Sequence, residues 1–582
     1  MAANTYPLIR SRFYPAAPAV QNHESQAENL HRAGRALWAA GLYERALAPI
    51  GRAIALDPHV PAYHHSLGQT LHRLARFSDA ALCYQEALRL EPASAGVLND
   101  LGAALIECRR FPEAVSALLD AIAIQPGFPE AFNNLGSALR EQGQYDEAIA
   151  CYGEALRLRP GYAQAHNNLG TAFEKSGRLE EALAEYGWAV RLDPGYAQAR
   201  FNRAAARLLK GDFERGWKEF EWRFQAAGHA PRQSTAPLWD GSPLQGRRIL
   251  LHTEQGLGDT LQFVRYAGLV KQRGGVVILQ CQPRLVELLR TVQGIDEIAA
   301  GDIPAHDCHA PLLSLPLLFH TLPETVPAPV PYIRPDPTLA AKWAERMGRK
   351  HSLRVGLVWA GNPNQLNDRY RSMSLAQLAP LASIEGVQLF SLQRGEKAQE
   401  LLENQAGWRI ARIEREDEGI AGTAAMIETL DLVITVDTMV AHLAGALAKP
   451  VWTMLPFAPD WRWLLDRNDS PWYPTMRLFR QPRPGDWESV VREVSEALRG
   501  EAFSRQPPAV SQPGLADSRA LIAEALLSFA AGLSPVPSQS DSREREPLIR
   551  MRLRSPLRQS PAPAALLPPA PFPATEYAPP GV

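Results

Sequence analysis

Nowhere does the chain carry the ~18 consecutive apolar residues that a membrane-crossing helix needs. Its opening stretch, MAANTYPLIRSRFYPAAPAV, has no basic start followed by a long apolar core. No integral membrane segment and no secretory leader are therefore expected, and the predicted location is the cytoplasm. Cysteine is scarce: Cys83, Cys108, Cys151, Cys281 and Cys308 are scattered, with no CxxC pair and no histidine cluster at ligand spacing. That pattern excludes a disulfide framework and a zinc site from the expectations. An excess of one charge is also missing. The formal net charge of −1 gives no global pull toward nucleic acid or an anionic surface, so no nucleic-acid partner is expected.

What is present is length and repetition. At 582 residues the chain is too long for one core, so two or three domains are predicted. Pro58, Pro92, Pro126, Pro160 and Pro194 stand 34 residues apart, and so do Gly34, Gly68, Gly102, Gly136 and Gly170. Alanines keep the step at Ala46, Ala80, Ala114, Ala148 and Ala182, and an aromatic or leucine keeps it at Tyr43, Phe77, Phe111, Tyr145, Leu179 and Phe213. Small residues allow two helices to approach closely, and proline cannot continue the second helix of each unit. Period and pattern resemble the tetratricopeptide repeat. An α-solenoid is predicted over 28–224, after an N-terminal extension over 1–27. Its five full units are closed by a degraded sixth, QARFNRAAARLLKGDFERGWKEFEWRF. Asn134, Asn168 and Asn202 recur two residues before the glycine position, with Ser66 and Asp100 in that place earlier. Stacked units would align these amides, which can bond a peptide backbone on the concave face or bridge neighbouring helices.

A Pro/Gly/Ser-rich stretch, 225–246, reads as a linker. Beyond it, short β-rich runs alternate with amphipathic stretches: RRILLHT, GVVILQC, LRVGLVWAG, GVQLFSLQ, LDLVITVD, PVWTMLP and MRLFRQ. Strand–helix alternation predicts parallel, doubly wound sheets. The Pro-rich passage TLPETVPAPVPYIRPDP divides them into two Rossmann-like lobes facing a cleft, 247–335 and 336–500. The tail, 501–582, is Pro/Ser/Arg-rich, and disorder is expected there apart from one helix near 515–532.

Within the lobes, RRILLHTEQGLGDT reads as strand, glycine turn and helix. The third glycine of a dinucleotide fingerprint is absent, since Leu261 holds its place, and no acidic residue marks the end of the next strand. Asp259 suits either a helix cap or a general base facing the cleft. In the second lobe a buried strand ends at Asp437 and Thr438, and the following helix carries His442 one turn on. The carboxyl edge of a parallel sheet is where ligands bind, and helix N–H groups there suit a diphosphate. The loop after LRVGLVWAG supplies Gly361, Asn362 and Arg371, and Arg suits phosphate contact. Gln393, Arg394 and Gly395 end another strand, where a base would be read. The Trp-dense segment PDWRWLLDRNDSPWYP is expected to pack rather than bind.

Taken together, GLGD, WAGNP…RS and VDTMVAHLAGALAKP resemble bacterial repeat proteins carrying a glycosyltransferase domain of the ADP-heptose/lipopolysaccharide heptosyltransferase type, family nine. The order of repeats and lobes, with the asparagine ladder, is also similar to protein O-GlcNAc transferases. The resemblance implies a GT-B fold and a metal-independent glycosyltransferase using a nucleotide-sugar donor and no cofactor. It makes Asp259 the base. Gly256, Gly258, Gly361, Asn362, Arg371, Gln393, Asp437, Thr438 and His442 form the nucleotide-sugar site in that picture. The acceptor would approach from the first lobe, and the repeats would recruit a protein or peptide. No D-x-D pair is placed at a strand end to hold a divalent ion. The chain departs from the family's D-T-G-x-x-H motif at Met439, which stands for the glycine. That departure favours a rival expectation, a non-catalytic repeat scaffold with a vestigial sugar-nucleotide lobe.

Overall fold

A computed structural model describes residues 23–226, 234–365, 367–403, 410–411 and 419–504. Its first part is six helix-turn-helix units. They pair α1 (His23–Ala39) with α2 (Tyr43–Leu56), α3 (Pro61–Arg73) with α4 (Phe77–Leu90), and α5 (Ala95–Glu107) with α6 (Phe111–Ile124). Next come α7 (Pro129–Glu141) with α8 (Tyr145–Leu158), α9 (Ala163–Lys175) with α10 (Leu179–Leu192), and α11 (Ala197–Lys210) with α12 (Phe213–Phe220). Each second helix begins at the recurring aromatic or leucine. A Cβ on Gly68, Gly102, Gly136 or Gly170 would lie 2.5, 2.5, 2.8 or 2.8 Å from the side chain of Tyr84, Leu118, Tyr152 or Tyr186. The repeat glycine is thus the seat for the partner helix's large side chain, and close packing forbids anything bigger. First helices of successive units come closer to one another than second helices do, so the array bends toward its first helices.

The sixth unit is degraded because it faces something other than a seventh repeat. Phe213, Trp217 and Phe220 are buried, and Trp217 meets Trp461 edge-on at 5.3 Å while its indole N–H donates to the Thr321 carbonyl at 3.1 Å. Just beyond α12, the guanidinium of Arg223 is 1 % exposed and donates twice to the Glu254 carboxylate at 3.0 Å. One continuous core joins the last repeats to the sheets that follow.

The first sheet has the order β3-β2-β1-β4, built from β1 (Arg248–His252), β2 (Val276–Gln280), β3 (Glu297–Ala299) and β4 (Cys308–Pro311). Helix α13 (Leu257–Phe263) follows β1. Helix α14 (Pro337–Arg346) leads into the second sheet. That sheet has the order β10-β9-β8-β5-β6-β7, from β5 (Leu353–Val358), β6 (Val387–Ser391), β7 (Ile410–Ala411), β8 (Leu432–Val436), β9 (Val451–Leu455) and β10 (Met476–Arg480). Helices α15 (Gly419–Glu428) and α16 (Met439–Ala446) flank β8, and α17 (Trp487–Ser504) covers the far face. Every pairing within the two sheets is parallel. Both faces are covered, which is why β5, β8 and β9 are buried at every position and mainly apolar rather than alternating.

All seven runs read as strands are strands. The short β3, β4 and β7 carry too little periodic signal to be expected. Helices α14 and α17 were also not among the expected elements, although α17 buries Trp487, Val490, Val491, Val494 and Leu498 at helical spacing. The described part of the expected linker, 234–246, is packed rather than free. Trp239 is buried and its backbone N–H donates to His309 at 2.8 Å, alongside β4. Residues 1–22, 227–233 and 505–582, with the expected tail helix, lie outside the described residues.

Candidate functional site

The carboxyl ends of β1, β5, β6 and β8 open on a cavity of about 660 Å³ between the two sheets. Gly256, Gly258, Asp259, Gly361, Asn362, Arg371, Gln393, Asp437, Thr438 and His442 all line it. Those ten positions come from five separate segments, so the fold gathers what the sequence scatters.

Strand β8 ends at Val436, and Asp437 and Thr438 turn the chain into α16. The Thr438 hydroxyl caps that helix, accepting from the Val440 N–H at 3.3 Å and meeting the Thr435 hydroxyl at 3.1 Å. The positive end of α16 is thereby aimed into the cavity. Burial, then the charge of Asp460, push the Asp437 carboxyl up to about 6, while Arg371 and Arg462 pull the other way. His442 is buried, stacked on Trp463 at 5.3 Å, and its Nδ1 meets the Tyr473 hydroxyl at 3.0 Å. Burial, then the nearby Arg462, Arg265 and Arg371, hold it neutral, well below the usual histidine range. A Cβ on Gly258 would sit 2.9 Å from the His442 ring, so this glycine exists for the approach of α16 to α13. Met439 lines the cavity beside it.

Asp259, expected as the base, has both carboxylate oxygens engaged. Oδ2 accepts from the Gly256 N–H at 2.9 Å as a helix cap, and Oδ1 is in an ion pair with Arg462. Arg462 is itself buried. It donates to Asp460 at 2.7 Å and to the Gln262 amide at 2.9 Å, and the Asp460 and Asp259 carboxylates keep it charged against the cost of burial. The cap is therefore the role this geometry gives Asp259. Gln393 is similarly committed: its amide accepts from the Trp359 and Ala360 N–H groups and donates to the Ala360 and Arg394 carbonyls, each at 3.0 Å. With its bonding capacity filled it braces the wall and is not left to read a base. Arg371 donates to Asp368 at 3.2 Å and is held at the rim, while its neighbour Arg369 turns away to pair with Glu141 of α7.

A second cavity, about 530 Å³, lies between the repeats and the second sheet. Tyr145, Lys175, Phe201 and Ala205 form its repeat side, and Tyr370 and Phe457 its sheet side. Gln255, Gln365, Arg371, Asp437, Asp460 and Arg462 line both cavities. Asp460 and Arg462 were missed in the sequence because they alternate with Trp461 and Trp463 in a segment read as packing. The tryptophans do pack, and the signal was the charged residues between them.

In the repeats, Asn134, Asn168 and Asn202 donate to Asn99, Asn133 and Asn167 at 2.8, 2.9 and 2.9 Å. The same step joins His31 to Ser66 and His65 to Asp100, each at 2.9 Å. The ladder thus bridges successive first helices along the array.

Models described as TPR or tetratricopeptide repeat match residues 31–82, 66–129, 117–150, 136–177 and 175–217, so these units are tetratricopeptide repeats. Protein FlbA of Caulobacter vibrioides is 31% identical over 310 residues, covering 48% of this chain and 51% of FlbA. The chain thus spans about half the length of that curated relative. Among solved structures, a thermophilic TPR protein of Thermus thermophilus is 26% identical over 31% of this chain and 99% of its own, with a TM-score of 0.29. MamA is 24% identical over 30% of this chain and 94% of its own, with a TM-score of 0.27. Among the described residues no helix is long and apolar enough to cross a membrane.

Proposed function

We propose that the chain is a glycosyltransferase of the GT-B kind that binds a nucleotide sugar in the cavity between its sheets and uses its repeats to hold a protein acceptor or partner. The observation that carries this reading is the convergence of the Asp437–Thr438 strand end, the α16 N-terminus, Arg371 and the GLGD turn on one cavity. Its volume lies within the ~300–1,000 Å³ typical of small-molecule sites. In this reading the diphosphate lies over the start of α16, where N–H groups and the helix dipole meet negative charge. Arg371 neutralises the charge that develops on the leaving diphosphate. Asn134, Asn168 and Asn202 each keep a second amide N–H for a peptide carbonyl after bridging to the previous unit. Donor and acceptor are left as classes: a nucleoside diphosphate sugar and a hydroxyl.

Met439 beside the cavity and the ion-paired Asp259 favour a second reading, a scaffold that binds a nucleotide without turnover. One experiment separates the two. The purified chain is incubated with UDP-, GDP- and ADP-sugars while released nucleoside diphosphate is followed, and binding is measured by calorimetry in parallel. Binding with release supports the transferase, and binding without release from any donor supports the scaffold. Absence of both sinks the site.

A further inference from the structure

Resting on the transferase reading, we infer that Asp437, not Asp259, takes the proton from the acceptor hydroxyl, and that the acceptor reaches it through the second cavity. The argument starts from position. Asp437 stands at the end of β8 on the wall shared by both cavities, where a donor in the first and a hydroxyl in the second would meet. Asp259 lines only the first and has one oxygen on the Gly256 N–H and the other on Arg462. Asp460, the third carboxylate at the junction, accepts from both the backbone N–H and the Nη1 of Arg462, at 3.1 and 2.7 Å.

The groups facing Asp437 set its proton affinity. Asp460 and Arg462 come from the turn after β9, Arg371 from the turn Asp368–Arg371, and neutral His442 from α16, with Asp259 behind Arg462 on α13. The indole N–H of Trp463 is buried beside it and favours the charged carboxylate. Burial first and Asp460 second outweigh these and push the carboxyl up to about 6, close to the range where a general base works best at neutral pH. A bound diphosphate adds negative charge and pushes it further up.

The step balances without a further reactant. The hydroxyl oxygen bonds the anomeric carbon as the bond from that carbon to the phosphate oxygen breaks. The hydroxyl proton passes to the Asp437 carboxylate and then to solvent. The electron pair leaves on the diphosphate, beside Arg371 and the α16 N-terminus.

Water serves as the acceptor in the test. Release of nucleoside diphosphate is followed for the wild type, Asp437→Ala and Asp259→Asn, with each donor that the wild type hydrolyses, from pH 5 to 9. Azide is then added, a nucleophile with no proton to give. Asp437→Ala is expected to lose 100-fold or more in release while binding the nucleoside diphosphate at least as tightly as the wild type, and azide is expected to restore release with a glycosyl azide as product. Asp259→Asn is expected to keep the acid limb of the wild-type profile, whatever its rate. In the wild type the limb in kcat should lie above that in kcat/KM, because the bound diphosphate raises it. Asp437→Ala within fivefold of wild type, or no rescue by azide, overturns the assignment and leaves the transferase reading standing. No release by the wild type from any donor overturns both.

Discussion

At Gly258 one added carbon would meet the ring of His442, and that ring cannot step aside. It is wedged between Trp463 at 5.3 Å and the Tyr473 hydroxyl at 3.0 Å. Gly258→Ala is therefore expected to lower stability by about 1–3 kcal/mol through overpacking, read as a fall in Tm, with Gly256→Ala much milder because its Cβ meets only the Asp259 carboxylate at 3.3 Å. Asp437 makes the opposite kind of prediction. Its folded carboxyl is raised from 3.8 to about 6, so the native state holds a proton that the unfolded chain has already lost. Stability from this group is full below the unfolded value and is lost as pH climbs from 4 to 6. Asp437→Asn should thus be more stable than wild type at pH 7, by on the order of 2–3 kcal/mol, and the gain should vanish near pH 4. Thermal unfolding at the two pH values reads this directly. A residue whose charge costs stability and whose removal restores it is one that packing alone does not explain.

Among the elements, those with a period were legible in the sequence. The helices of the repeats announce themselves because each glycine must seat a large side chain from the next helix, and that demand recurs every unit. Strands β5, β8 and β9 show as apolar runs because both faces are covered. Strands β3 and β4 do not, since Glu297–Ala299 and Cys308–Pro311 are too short to alternate and owe their pairing to β2 and β1. The glycine turn and the Asp-Thr strand end were legible for a similar reason: local chemistry fixes them. Arg462 was not, because its meaning lies in Asp259, on another lobe and far away in the chain. The short segment after α12 is the clearest case of an element set by distant partners. Arg223→Met leaves the Glu254 carboxylate with its buried cation gone, and a loss of about 3–5 kcal/mol is expected. Denaturant unfolding measures it. If Arg223→Met and Arg223→Lys unfold at the wild-type midpoint, the pair does not hold this junction.

Among the described residues the repeats and the sheets form one compact unit rather than two bodies on a tether, with the later repeats sharing the sheets' core. The described residues beyond the repeats touch them through Trp217, Arg223, Arg369 and Phe457, and a Cβ on Gly177 would lie 2.8 Å from the Phe457 ring. A chain shortened to begin at Gly127 keeps the units that carry Glu141, Gly177 and Trp217 and should unfold cooperatively. One beginning at Ser234 exposes the faces that Phe213, Trp217 and Phe220 cover, and should aggregate or melt without a sharp transition. Circular dichroism and size exclusion distinguish them. None of this could be read from composition, because the contacts join residues from 31 to more than 200 positions apart and leave no pattern along the chain.

The buried Arg223–Glu254 pair bears on how such a protein could be recombined. Glu254 lies two residues before Gly256, so the loop that opens the site is anchored by a side chain encoded with the repeats. A graft of a new repeat array that cuts in the Pro/Gly-rich stretch after residue 226 would replace that arginine with a stranger and disturb the site at its edge. The portable boundary falls earlier, near Pro126 in the turn between the third and fourth units, ahead of Glu141, Gly177 and the core that the later units share with the sheets. The molecule is divisible where its sequence looks uninterrupted, and indivisible where it looks like a hinge.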